Sequence, residues 1–147
     1  MRGEGRETSE VAAIAASYRD LVAWQKAMDL ASQLYQLTVS LPESERYGLA
    51  SQMRRAAVSI PSSLAEGHSR SSTKDFMRFI SIAMGSLAEL ETQLVLCAKL
   101  KMLNEDSICT FLDLCDEQNR ILRGLKKSLA NKLPRTNSRP LSLVSRP

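Results

Sequence analysis

This chain has little of what catalysis and metal binding require. It holds one histidine, His68, and three cysteines, at 97, 109 and 115, with no CxxC pair among them. A metal site needs several ligands at fixed spacing, and none accompanies His68. No nucleophile or carboxylate can be assigned to it for catalysis, so a place in a turn is its expected role. No Gly-rich phosphate loop and no nucleophile motif occurs. The cysteines sit within apolar helical patterns and are expected to be buried thiols rather than redox or metal groups. Such usage fits a reducing cytoplasm. No cofactor, no metal and no enzymatic activity are expected.

Long apolar runs are also wanting. No stretch approaches the ~20 apolar residues of a membrane span, so no membrane partner is expected. The N-terminus carries Glu4, Glu7 and Glu10, and its apolar stretch VAAIAAS is short and alanine-rich. It makes a poor secretory signal, and a cytoplasmic location is expected. No strand pattern is visible.

What is present is a chain of 147 residues with 44% hydrophobic content. That suits one domain with its own core. The net charge of +4 is uneven: from Lys132 onward there are four basic residues and no acid. Between 18 and 131 there are 14 basic and 13 acidic residues, so the folded part is nearly neutral. Its cations matter only where they cluster.

The chain then reads as four amphipathic helices. Residues 1–18 lack a sustained period and are expected to be a flexible segment. From Asp20, the candidate N-cap, Leu21, Trp24, Met28, Ala31 and Tyr35 mark one helical face. The helix ends near Ser40, because Pro42 disfavours helix before it. A second helix is predicted from about Glu45 to Ser69, with Leu49, Met53, Ala56, Ala57, Ile60 and Leu64 inward. Pro61 lies inside it and removes a backbone hydrogen bond. The expectation is a kink with Ser59 or Ser62 satisfying freed groups; two short helices broken at Ile60 is the alternative.

Gly67 is a candidate left-handed residue ending that helix. Ser72 with Asp75 reads as a capping box. The third helix is predicted from Thr73 to Met102, with a seam of Phe76, Ile80, Ala83, Leu87, Leu90, Leu94 and Cys97, broadened by Phe79, Ile82 and Leu96. Gly85 and Ser86 within it suggest close helix approach. Asn104 caps the fourth helix, and Ile108, Phe111, Cys115, Gln118, Leu122, Leu125 and Leu129 repeat as a heptad. Arg120, Arg123, Lys126 and Lys127 crowd its C-terminal half, where the helix dipole favours cations. Pro134 ends the pattern, and 132–147 is expected to be a disordered basic tail. The simplest fold is an all-α, antiparallel up-down four-helix bundle over 19–131.

The segments LVAWQKAMDL, QMRRAAVSIPSSLAEG, Arg70 and DFMRFISIAMGSLAELETQL stand here in a specific order and spacing. On them the chain resembles the four-helix-bundle family of the protein encoded in intervening sequences of bacterial 23S ribosomal RNA genes, also labelled the ribosomal protein S23 family. The resemblance covers roughly Tyr18 to Asn131. One departure is Ser63, where the family usually has asparagine. The resemblance implies a homopentamer around a central channel. It also implies similarity to the accessory variability proteins of diversity-generating retroelements, which partner a reverse transcriptase and bind nucleic acid.

Candidate nucleic-acid-binding residues are Arg54, Arg55, Arg70, Lys74 and Arg78. A fivefold ring would multiply any basic patch they form, and each phosphate neutralised releases counterions. Glu66 stands four residues before Arg70 and is placed to pair with it. Arg55, Ser59, Ser62 and Glu66 form one polar stripe, solvent-facing or an interface between subunits. Trp24, Ser59, Pro61 and Glu66 are the candidate interface residues. Two functions remain open on these grounds. One is a non-enzymatic oligomeric accessory protein that binds RNA or DNA, for instance structured RNA or on behalf of a reverse transcriptase. The other is a homo-oligomeric protein-interaction scaffold without nucleic-acid binding.

Overall fold

A computed structural model describes residues 17–134. The expectations for 1–16 and for the tail beyond Pro134 lie outside the described residues. Four α-helices follow one another: α1, Val22–Thr38; α2, Leu49–His68; α3, Thr73–Lys99; α4, Glu105–Lys132. Short 3-10 turns occupy Tyr18–Asp20 and Glu43–Glu45. Each helix packs on its chain neighbour, and α1 closes the ring against α4. The described residues contain no strand. The fold is a four-helix bundle.

The core faces of α2, α3 and α4 follow their periodicity. Met53, Ala56, Ala57, Ile60 and Leu64 are buried from α2, while Leu49 is half-buried. All seven seam residues of α3, Phe76 to Cys97, are buried, and so is Phe79. Ile82 and Leu96 are exposed instead, so the seam is narrower than expected. On α4 every heptad position is buried except Leu125, which packs half-buried against the core. Gln118 belongs in that heptad because its amide donates to the Ala23 carbonyl at 3.0 Å. A buried amide without such a partner would be costly.

Helix α1 is rotated from the expected face. Ala23, Ala27, Leu30, Ala31 and Leu34 are buried, whereas Met28 and Tyr35 are exposed and Trp24 is half-buried. The small alanines let α1 approach its neighbours, and the larger amphipathic side chains fall to the rim. Asp20 is not its N-cap: Leu21 is, without a side-chain cap, and Asp20 ends the preceding turn.

Helix ends follow local chemistry. Glu45 is not helical start but cap: its carboxylate accepts the Leu49 N–H at 3.1 Å, which Gly48 cannot do. Ser72 Oγ accepts the Asp75 N–H at 3.1 Å, and Asn104 Oδ1 accepts the Asp106 N–H at 2.8 Å. Both caps match expectation. Helix α3 stops at Lys99, earlier than Met102, in a Schellman turn. There the Met102 N–H donates to the Cys97 carbonyl at 3.0 Å and the Lys101 N–H to the Ala98 carbonyl at 3.1 Å. Lys101 takes the left-handed position, with φ 54°.

Pro61 is buried within an uninterrupted α2, so the broken-helix alternative does not hold. Ser59 does not serve the freed backbone. Its hydroxyl lies 2.8 Å from that of Ser86 on α3. Gly67 is not left-handed; it is buried inside α2, and a Cβ there would lie 2.5 Å from Phe79 Cβ. Gly85, by contrast, is exposed with open space around it, so close approach comes from Ser86 and not from Gly85. Ser63 is buried.

Cys97 and Cys115 are buried, but Cys109 is exposed. By length and composition, with a mean hydropathy of 1.3, α3 is apolar enough to cross a membrane, contrary to the reading of the bare sequence. Its seam from Phe76 to Cys97 is buried in the core that all four helices share.

Candidate nucleic-acid interface

The five candidate cations do not form one cluster. Arg54 and Arg55 lie in the first half of α2, while Arg70, Lys74 and Arg78 surround the α2–α3 turn. From Arg55 to the end of α2 at His68 the helix rises ~20 Å. Two separate surfaces result.

At the α2–α3 end, Phe79 organises the charge. Its ring packs on Gly67, whose missing side chain lets the two helices meet. The Arg70 and Arg78 guanidinium carbons lie 5.2 and 4.8 Å from the ring centroid. A cation near an aromatic face is attracted by the ring quadrupole. Phe79 thus holds two arginines together despite their like charge. Lys74, exposed, stands one turn before Arg78. Arg70 also donates to Glu66 Oε1 at 3.1 Å, the expected pair. Both partners are about half exposed, so the bridge is weak. His68 ends α2 and packs edge-on against Phe76, ring centroids 5.6 Å apart.

At the other end, Arg54 is a strut. Its Nε donates to Thr38 Oγ1 at 2.9 Å and Nη2 to the Tyr35 carbonyl at 3.5 Å. The guanidinium also lies 4.7 Å from the Tyr35 ring centroid. These contacts place a positive charge at the C-terminus of α1, where the helix dipole favours it. The Arg55 side chain forms no ion pair or hydrogen bond among the described residues, and it is exposed. Beside them opens a cavity of about 500 Å³, lined by Tyr35, Arg46, Tyr47, Arg54, Arg55 and Val58 among others, with no carboxylate. Arg46 lies 5.5 Å from the Tyr47 ring centroid.

Arg46 and Tyr47 were missed by sequence reading. They sit in the linker between α1 and α2, whereas the second helix predicted from about Glu45 took them into its first turn; the available signal was an arginine beside an aromatic. A smaller cavity of about 70 Å³ between α1 and α4 has mixed charge, with Lys26 bridged to Glu117 at 3.4 Å.

The candidate interface residues are engaged within the chain. Trp24 meets Tyr18 edge-on, with centroids 5.4 Å apart. Ser59 contacts Ser86, Pro61 is buried in α2, and Glu66 pairs with Arg70. Exposed apolar side chains lie elsewhere, at Met28, Tyr35 and Val39 on and just after α1 and at Ile82, Val95 and Leu96 on α3.

No three His, Cys, Asp or Glu side chains gather as a metal site among the described residues. The perturbed groups are elsewhere. Burial pushes the Cys115 thiol up to about 12, with Glu91 and Asp116 adding to the effect. Burial, then Glu45, raises Cys97. Glu91 is raised by burial and by Asp116, with Arg123 acting against them.

No curated protein matches this chain. Among solved structures it is similar to a protein of unknown function from the S23 ribosomal protein family of Bacteroides thetaiotaomicron. The two share 22% identity and a TM-score of 0.65, over 72% of this chain and 99% of that one. That likeness supports the bundle. The family model of the 23S rRNA-intervening sequence protein matches residues 19–124, from the turn before α1 to near the end of α4. The chain therefore belongs to the 23S rRNA-intervening sequence protein family.

Proposed function

We propose that this chain is a non-enzymatic, oligomeric accessory protein that binds nucleic acid through its phosphate backbone. Structured RNA, or a strand handled by a reverse transcriptase, is the ligand class. The observation that carries this reading is the trio Arg70, Lys74 and Arg78. Two of its guanidinium groups are held on the single ring of Phe79, and Glu66 is the one carboxylate paired with the trio among the described residues. Like charges gathered this way gain from a polyanion that neutralises them. Assembly as a homopentamer would repeat the trio around a ring.

The test is a fluorescence anisotropy titration with structured RNA and with duplex DNA over a range of salt. Full-length protein is compared with a chain ending at Asn131 and with Arg70→Gln/Lys74→Gln/Arg78→Gln. The shortened chain is expected to bind with a steep salt slope. For duplex DNA the triple variant should lose roughly 0.9 of a unit of slope for each phosphate contact removed. Binding that is absent, or that disappears with the tail, refutes the reading.

A second reading is a homo-oligomeric protein scaffold. The exposed Val95, Leu96 and Leu100, close together at the end of α3, favour it, since apolar patches mark interaction surfaces. It predicts assembly without salt-sensitive RNA binding, readable by sedimentation in the same buffers.

A further inference from the structure

We propose that the groove formed by α1, the α1–α2 linker and the start of α2 seats one unpaired nucleotide of a single strand. The base stacks on Tyr47, and the adjoining phosphate is held by Arg55. This rests on the nucleic-acid reading above and deepens it by naming the strand type and a second site.

Three features of the groove converge. Tyr47 leaves 87% of its surface in water at the lip of the groove, open to a flat ligand. Three guanidinium groups line the cavity and no carboxylate does. Arg54 is committed to α1 and fixes the Tyr35 wall. Arg46 lies 5.5 Å from the Tyr47 centroid, so its charge stands against one side of the ring and the base takes the other, with Arg55 left to meet the phosphate from α2. The volume of about 500 Å³ falls in the range of small-ligand pockets.

An aromatic platform beside a positive groove is the physical signature of single-strand binding, because every base offers a π-face and every link a phosphate. Duplexes turn their bases inward and would leave Tyr47 unused. An acidic peptide would satisfy the arginines but has no flat face for the ring. The site is distinct from the Arg70–Lys74–Arg78 trio, whose two arginines lie over the buried ring of Phe79.

The experiment measures anisotropy of a labelled oligouridine and of its abasic counterpart with the same number of phosphates, on the full chain. Structured RNA is titrated in parallel. Tyr47→Ala should weaken oligouridine binding roughly 5- to 150-fold, and Tyr47→Phe should leave it unchanged. The abasic strand should bind more weakly than oligouridine and ignore Tyr47→Ala. Arg55→Gln should weaken both strands. Since Tyr47 and Arg55 are exposed, helical circular dichroism should be the same for every variant.

The groove assignment falls if Tyr47→Ala leaves oligouridine affinity intact, if the abasic strand binds equally well, or if a polyglutamate peptide displaces oligouridine as readily as unlabelled strand. With structured RNA still bound in a salt-sensitive way, any of these results removes this inference alone. If wild-type protein binds neither RNA, the nucleic-acid reading itself fails.

Discussion

Replacing Gly67 by alanine sets two effects of opposite sign against each other. A glycine inside a helix costs about 1 kcal/mol relative to alanine, so propensity favours the change. Packing opposes it. The new methyl carbon would lie 2.5 Å from Phe79 Cβ and 3.2 Å from both Phe79 Cγ and Phe76 Cδ1. A Cβ moves only with its backbone, so α2 and α3 must separate rather than one side chain rotate. Overpacking of a tight core costs about 1–3 kcal/mol, and a contact this short belongs at the upper end. The net loss is then about 2 kcal/mol once propensity is subtracted. Gly85→Ala is the matched control, also inside a helix but with nothing within 4 Å. It should gain about 0.5–1 kcal/mol. Urea unfolding followed by circular dichroism separates them. With a slope of about 1.5 kcal/mol/M, Gly67→Ala should lower the midpoint by about 1.3 M and Gly85→Ala should raise it by about 0.5 M. If Gly67→Ala is as stable as the parent, the close approach of the helices at Phe79 is not what selects glycine there.

Lys101→Gly should stabilise the chain by about 1 kcal/mol, because the left-handed position costs a side-chain-bearing residue about that much; thermal unfolding checks it. Arg54→Ala should destabilise by about 1–2 kcal/mol, and Arg54→Lys should not restore the loss, since one ammonium cannot reach both Thr38 and Tyr35 while lying on the ring. Cys109 alone should react with a thiol reagent in native protein at pH 8, with Cys97 and Cys115 reacting only on unfolding. Cys115 has a folded pKa of about 12 against an ordinary 9.0, so the unfolded chain loses this proton first as pH rises. Its contribution to stability is intact below pH 9.0 and is lost progressively toward pH 12, which urea midpoints measured across that window will read.

Much of the bundle was legible because its helices repeat strictly. Ile108 to Leu129 alternate in threes and fours, and Phe76 to Cys97 do the same, so their inward faces follow from spacing alone. Helix α1 was harder. Its real face is built on Ala23, Ala27, Leu30 and Leu34, and alanines carry little signal beside a tryptophan and a tyrosine. Gly67 was misread because a glycine near a helix end resembles a stop. Only the position of Phe79 on another helix reveals that it is a contact. The cations were found one by one, but their division into two surfaces depends on how far α2 carries Arg55 from Arg70. The groove of Arg46 and Tyr47 was not legible, since it is made by a linker folding back on two helices.

The hydrogen bond from Gln118 to Ala23 bears on the order in which the molecule assembles. It joins positions 95 residues apart, whereas Gly67 and Phe79 meet across a turn of four residues, 69–72. Loop closure over the longer span costs more entropy, though only logarithmically so. The α2–α3 hairpin therefore has the advantage as the early nucleus, and docking of α1 on α4 is a late event. Amide exchange should follow the same order, with α1 releasing its protons through a local opening that leaves the hairpin protected.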